Sequence, residues 1–61
     1  MRLIYDKPNE PPMYMVTDDE IAGSDSEINA MLPGAIPGTL ITTAGYGTMK
    51  QKAEDESWVS L

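Results

Sequence analysis

Apolar residues fall in short runs along this 61-residue chain, and the spacing within the runs predicts the elements. Arg2 to Tyr5 is a short apolar run of β-capable residues, and Met13 to Thr17 is predicted to be a strand. From Thr39 onward, three segments alternate in the manner of strands. They are TLITT, TMKQK and SWVSL, separated by the bend AGYG and the polar loop AEDE. Short connections of this kind predict a C-terminal three-stranded antiparallel meander.

One short helix is predicted near residues 25–32. The segment SDSE has the Ser-x-x-Glu pattern of a capping box, in which Ser24 caps the helix and Glu27 reaches back. The apolar residues that follow share one helical face: Ile28, Met31 and Leu32. A proline and a glycine at positions 33 and 34 end the helix. The earlier segment TDDE has the same pattern, but Gly23 leaves room for only one turn.

The segment DKPNEPP places three prolines within seven residues, which excludes a helix or a central strand. We therefore predict that residues 1–12 form an extended proline-rich arm and residues 13–61 a single small β-rich domain. The fold class expected is a small, mainly-β (α+β) domain. The arm is expected to bind a neighbouring subunit by adding a strand to its sheet edge. The predicted partner-binding residues are Leu3, Ile4, Tyr5, Pro8, Pro11 and Pro12.

The composition excludes several kinds of functional site but does not identify one. The chain contains neither Cys nor His, so it lacks disulfides, zinc ligands of the usual kind, the common general base and the common thiol nucleophile. The acids that begin at Asp18 do not complete a calcium loop, because Ala22 and Asn29 occupy two ligand positions. We expect no enzymatic activity, no cofactor and no metal site. A single Trp58 is expected to anchor the core, with an exposed binding platform as the alternative.

The charge distribution bears on partners. The net charge of −6 argues against direct binding to nucleic acid. Five acids and no base lie between Asp18 and Glu27, which predicts a solvated surface or, alternatively, a surface that mimics DNA. Residues 28–49 are uncharged, but prolines and glycines interrupt them, so burial or an interface is expected rather than a membrane span. A chain this small, without disulfides or a structural metal, is expected to be marginally stable alone or to self-associate.

Taken in order, three segments carry a family resemblance: RLIYDKPNEPPMYMV, IPGTLITTAGYGTMKQ and ESWVSL. The chain resembles small structural proteins of tailed bacteriophages and prophages, including head-fibre, capsid-associated and tail-module proteins. Their pattern is Pro-Gly-Ser-x-Ala-Tyr, then a hairpin, then Gly-x-Trp-Val. The matching positions are Pro37, Gly38, Thr39, Tyr46, Met49, Trp58 and Val59. Two departures are Glu56, where the family often has Gly, and the AGYG bend.

The resemblance implies a non-enzymatic virion protein, assembled in the host bacterial cytoplasm. It would be a capsid decoration or head-fibre-type accessory subunit, attached to a larger capsid or tail protein. Family members are often trimeric, which implies a homo-oligomer such as a trimer. Two other hypotheses remain. One is an acidic phage-encoded inhibitor that mimics nucleic acid and binds a host enzyme, and the other is a stand-alone binding module such as a sugar-binding tip.

Overall fold

A computed structural model describes all residues 1–61 and contains one sheet of five strands, which lie in chain order. The strands are β1 (Arg2–Tyr5), β2 (Met13–Met15), β3 (Leu40–Thr42), β4 (Met49–Lys52) and β5 (Trp58–Ser60). The helices α1 (Asp18–Ile21) and α2 (Asp25–Met31) lie between β2 and β3. A 3-10 turn, Ala44–Tyr46, connects β3 to β4. None of the helices has the length and apolarity that crossing a membrane requires.

The sheet is mixed, which corrects the prediction of a simple C-terminal meander. β3, β4 and β5 are antiparallel neighbours, but β2 runs parallel to β3 and joins them to β1. Parallel neighbours cannot be joined by a tight turn, so the chain between them must cross over the sheet. Helices α1 and α2 form that crossover. The domain is thus a small α+β fold with two short helices rather than one.

The predicted N-terminal arm is wrong as a structural description. β1 is an antiparallel edge strand of the chain's own sheet, with Arg2 opposite Met15 and Leu3 opposite Tyr14. The prolines lie in the loop between β1 and β2, where they remove no ladder hydrogen bond. The hydroxyl of Tyr5 donates to Glu10 Oε2 at 2.6 Å and closes that loop. Pairing with β2 therefore satisfies the backbone groups on one side of β1, and the other side is an open edge of the sheet.

Both predicted capping boxes form. In α1 the backbone N–H of Thr17 donates to Glu20 Oε1 at 2.8 Å, and Thr17 Oγ1 accepts from the Glu20 N–H at 3.2 Å. Ser24 and Glu27 make the same reciprocal pair in α2, at 3.1 and 3.2 Å. The α2 range confirms the helix predicted near residues 25–32, and α1 is the single turn that Gly23 permits.

Acid should weaken both caps. The backbone hydrogen bonds from Thr17 and Ser24 are the main cause that lowers the pKa of Glu20 and of Glu27 below the ordinary value of 4.5. A lowered pKa in the folded state means that the stabilisation is present above pH 4.5 and is lost as pH falls through the lowered value. We expect the melting temperature to fall as the pH drops below about 4.5. The Glu20→Gln, Glu27→Gln double variant should show a shallower slope in thermal melts, and an unchanged slope would contradict this origin.

The hydrophobic core lies between the helices and one face of the sheet. Its six buried apolar members are Val16, Ile21, Ile28, Leu32, Ile41 and Trp58. Ile41 is fully buried on the central strand, and Trp58 is only 6% exposed. Only 10 of the 61 residues are buried, so the core is a single thin layer and each large side chain carries a large share of it.

Polar contacts fix Trp58 against α2. Its indole Nε1 donates to Asn29 Oδ1 at 2.9 Å, and its backbone N–H donates to Asp25 Oδ1 at 3.0 Å. The Asn29 amide nitrogen in turn donates to the carbonyl of Glu56 at 2.9 Å. Two polar side chains one helical turn apart thus join the helix to the start of β5.

Candidate interaction surface

Neither helix packs on the sheet face opposite the core. Of the seven residues that point to this face, Val59 is exposed, Thr42 is fully buried and the other five are half-buried. Side chains alternate along a strand, so residues adjacent to Ile41 and Trp58 point away from the core. The strand pairings align Met13, Leu40, Gln51 and Val59 in one row and Met15, Thr42 and Met49 in the next. These seven residues are here called the open face.

The open face is mainly apolar. It carries three of the five methionines, together with Leu40 and Val59, and Val59 is 51% exposed. Methionine side chains are flexible and adapt to irregular partner surfaces. Single exposed apolar residues are ordinary, but a contiguous apolar patch on one sheet face is characteristic of an interaction site.

A β-bulge adds further side chains at the β1 edge. The register between β1 and β2 shifts between Leu3 and Tyr5, so one extra residue is inserted into β1. A bulge re-aims side chains locally, and here both Ile4 and Tyr5 reach the same pocket on the open face. Two residues that alternation would place on opposite faces therefore act together.

That pocket has a volume of about 430 Å³, within the usual range for binding clefts. Its apolar wall includes Met13, Leu40 and Tyr46, and Glu10 and Gln51 supply polar atoms. One boundary is set by a close backbone approach: a Cβ built on Gly38 would lie 2.9 Å from Pro11 Cγ. The loop between β1 and β2 thus packs directly against the residues that precede β3.

Tyr46 is held at the pocket in a conformation that tyrosine disfavours. Its φ is 60°, in the left-handed region, and its side chain is 59% exposed. Left-handed backbone costs a residue other than glycine roughly 1–2 kcal/mol. The turn is fastened by the Tyr46 N–H, which donates to the Thr43 carbonyl at 2.9 Å. Thr42 Oγ1 also donates to the Thr48 carbonyl, at 2.9 Å. An exposed aromatic kept in a strained turn beside an apolar pocket points to a contact role.

Charge is distributed unequally between the two sides of the molecule. Arg2 lies at one end of the β1 edge. Two charged residues lie near the other end: Glu10, which accepts from the Tyr5 hydroxyl, and Lys7, whose Nζ is 5.7 Å from the centre of the Tyr5 ring. The acids of α1 and α2 lie on the helical side, except that Asp18 lines a pocket together with Arg2 and Met15. The only ion pair joins the N-terminal amine to Glu20 at 4.0 Å. Lys52 is buried on the core side, where its Nζ donates to the Ala35 carbonyl at 2.8 Å.

Of the six partner-binding residues predicted for the arm, three lie at the pocket and three lie elsewhere. Ile4, Tyr5 and Pro11 meet at the pocket. Leu3 is 45% exposed opposite Tyr14, Pro8 is exposed in a turn, and the Pro12 carbonyl accepts from the Leu40 N–H at 3.0 Å. Their role in binding a partner stays a prediction. Trp58 is placed in the core rather than on an exposed platform.

The sequence analysis named none of the residues that make up most of the surface as partner-binding: Met13, Met15, Leu40, Met49, Gln51 and Tyr46. Three of them, Leu40, Tyr46 and Met49, lie in the uncharged residues 28–49, for which burial or an interface was expected. A signal was present, because MYM and LIT lack a strict alternation of apolar and polar residues. Strands that read this way are usually covered on both faces.

The structure contains no group of three or more His, Cys, Asp or Glu side chains arranged to hold a metal ion. Comparisons with protein-family models, with curated proteins and with solved structures found no match to this chain.

Proposed function

We propose that this chain is a non-enzymatic structural protein of a bacteriophage virion, a capsid-associated decoration or head-fibre-type accessory subunit. The virus class comes from the resemblance in sequence. The observation that carries the structural role is the open face, a mainly apolar side of the sheet on which neither helix packs. A thin core with one uncovered sheet face gains stability when another protein chain covers it, and a virion holds its subunits at high local concentration.

The residues that carry the resemblance have defined positions in the fold. Gly38 has a φ of 95°, which favours glycine, and the Thr39 hydroxyl donates to the Ile36 carbonyl at 2.7 Å. Glu56, where the family often has Gly, has a φ of 69°. The backbone at that departure therefore adopts a conformation that glycine favours, which supports the comparison.

A mass-spectrometric inventory of particles tests the proposal. Particles produced in the host would be purified through a density gradient and washed in high salt. The chain should remain at a fixed copy number relative to the major capsid protein. Its absence from washed particles, with the chain abundant in the cell lysate, would overturn the proposal.

The second candidate is an acidic inhibitor that mimics nucleic acid and binds a host enzyme. It is favoured by exposed acids on α1 and at the start of α2, none of which pairs with a lysine or arginine. Capture of a nucleic-acid-binding enzyme from host lysate would support it if DNA competes and salt weakens the complex. The Asp18→Asn, Asp19→Asn variant should then lose capture while its incorporation into particles is unaffected.

A further inference from the structure

We propose that a second copy of this chain covers the open face, in a two-fold dimer that packs sheet against sheet. This inference concerns the isolated chain and does not depend on the virion role. It differs from the trimer that the family resemblance implies. Three properties of the open face support it: its size, its uncharged centre and the placement of the charges around it.

The dimensions of the domain set an upper limit on the area that the open face can bury. The two longer dimensions of the domain are 29 and 26 Å, which bound any one face at about 750 Å². A standard-size interface buries roughly 800 Å² on each partner. A stable dimer therefore needs nearly the whole face, including the Tyr46 turn and the β1 edge, rather than a single groove.

The centre of the face has the composition of an interface core. Met13, Met15, Leu40, Met49 and Val59 form an uncharged middle, and the aromatic rings of Tyr5 and Tyr46 lie towards one end. Interface cores are depleted in charge and enriched in methionine and aromatic residues. Because this patch is uncharged, packing it against the same patch of a second copy brings no like charges together.

The acids of the helices would not oppose this arrangement. Each chain has a net charge of −6, so most orientations of two copies bring like charges together. Packing the open faces together places the two helical layers on the outside, with both sheets between them; Asp18 is the exception, because it lines a pocket with Arg2 and Met15. Their separation then exceeds the Debye length of roughly 8–10 Å at physiological salt, and repulsion between the layers is largely screened.

Arg2 and Glu10 favour a second copy over another occupant. They lie at opposite ends of the same sheet edge, one at the start of β1 and the other beside Tyr5 at its end. A two-fold axis that lies in the interface and crosses the strands exchanges the two ends of each edge. Arg2 of one copy then lies next to Glu10 of the other, and the same pair occurs twice in the dimer.

Sedimentation equilibrium of the purified chain is the first test. Each chain has a mass of 6.7 kDa, and two would give about 13 kDa. Val59→Glu places a charge in the interface and should weaken the dimer roughly 100-fold. Ile36→Glu is the matched control, because Ile36 is 55% exposed and lies on no strand, and it should leave the dimer intact. A monomer at about 1 mM, or a trimer, would overturn the proposal, as would equal effects of the two variants.

A charge-exchange experiment tests the two-fold geometry itself. Arg2→Glu and Glu10→Arg each create two like-charge contacts in a homodimer and should each weaken it on the order of 10-fold. An equimolar mixture restores both opposite-charge contacts, so it should form a heterodimer as tight as the native dimer. Far-UV circular dichroism and Trp58 emission would verify that each variant is folded. If folded variants fail to associate on mixing, the geometry is wrong.

Discussion

The Trp58→Ala variant is expected to be unfolded, or close to unfolded, at 25 °C. Truncating a buried tryptophan typically costs roughly 3–5 kcal/mol. Trp58 is one of only six buried apolar residues, and the loss also removes the indole hydrogen bond to Asn29. Small domains have free energies of unfolding near the low end of the roughly 5–15 kcal/mol range. The free-energy loss from this single substitution is therefore comparable with the free energy of unfolding of the whole domain.

Urea and thermal denaturation followed by far-UV circular dichroism would measure this effect, because the variant lacks the fluorophore. Trp58→Phe is the matched control. It retains an aromatic ring in the core but loses the indole N–H, so it should remain folded with a smaller loss of stability. A Trp58→Ala protein that melts within a few degrees of the native chain would contradict the assignment of Trp58 to the core.

The Gly38→Ala variant is expected to lose roughly 2–4 kcal/mol of stability. Two effects add at this position. The φ of 95° is strained for any residue with a Cβ, and the new Cβ would lie 2.9 Å from Pro11 Cγ. Pro11 is a ring held in the loop between β1 and β2, so it cannot move aside as a flexible side chain would. The substitution should therefore disturb both the start of β3 and the wall of the pocket.

Two other glycines separate these effects. Gly45 has a φ of 77° but no atom within 4 Å of an added Cβ, so Gly45→Ala should show the backbone strain alone. Gly34 has neither feature, and Gly34→Ala should be nearly neutral. Thermal melts of the three variants should rank Gly38 as most destabilised, then Gly45, then Gly34. Equal effects at Gly38 and Gly45 would show that the contact with Pro11 contributes nothing.

The elements that could be predicted from the sequence are those with local causes. The capping boxes at Thr17 and Ser24 require only residues three positions apart, and both formed where the pattern placed them. The C-terminal strands could be predicted because short turns join neighbours in sequence. Local patterns thus identified α2 and the antiparallel strands β3, β4 and β5, but not the antiparallel pair of β1 and β2.

The remainder depended on pairings that no local pattern encodes. The parallel pairing of β2 with β3 joins residues 13–15 to residues 40–42, across both helices. The prolines at 8, 11 and 12 excluded a helix correctly, but the same residues fit a loop as well as an arm. Whether Leu3, Ile4 and Tyr5 pair within the chain or with a neighbour is decided by tertiary contacts alone.

The surface was harder to predict than the fold. The strained φ of Tyr46 cannot be inferred from AGYG, because glycines on both sides suggest that they supply the left-handed residues. Gly47 instead has an ordinary φ of −68°. Likewise, Ile4 and Tyr5 meet at one pocket only because of the bulge in β1. Both features depend on the tertiary structure and not on the local sequence.

Methionine oxidation tests most directly whether the open face is buried by a second copy. Met13, Met15 and Met49 lie on the open face, whereas Met1 is 56% exposed at the terminus and Met31 packs on the core side. The chain would be exposed briefly to hydrogen peroxide over a range of protein concentrations, and each site quantified by tandem mass spectrometry. Oxidation of Met13, Met15 and Met49 should slow together as concentration rises through the dissociation constant, while that of Met31, on the helical side, stays constant. Oxidation rates at these three sites that do not change up to about 1 mM would contradict the account.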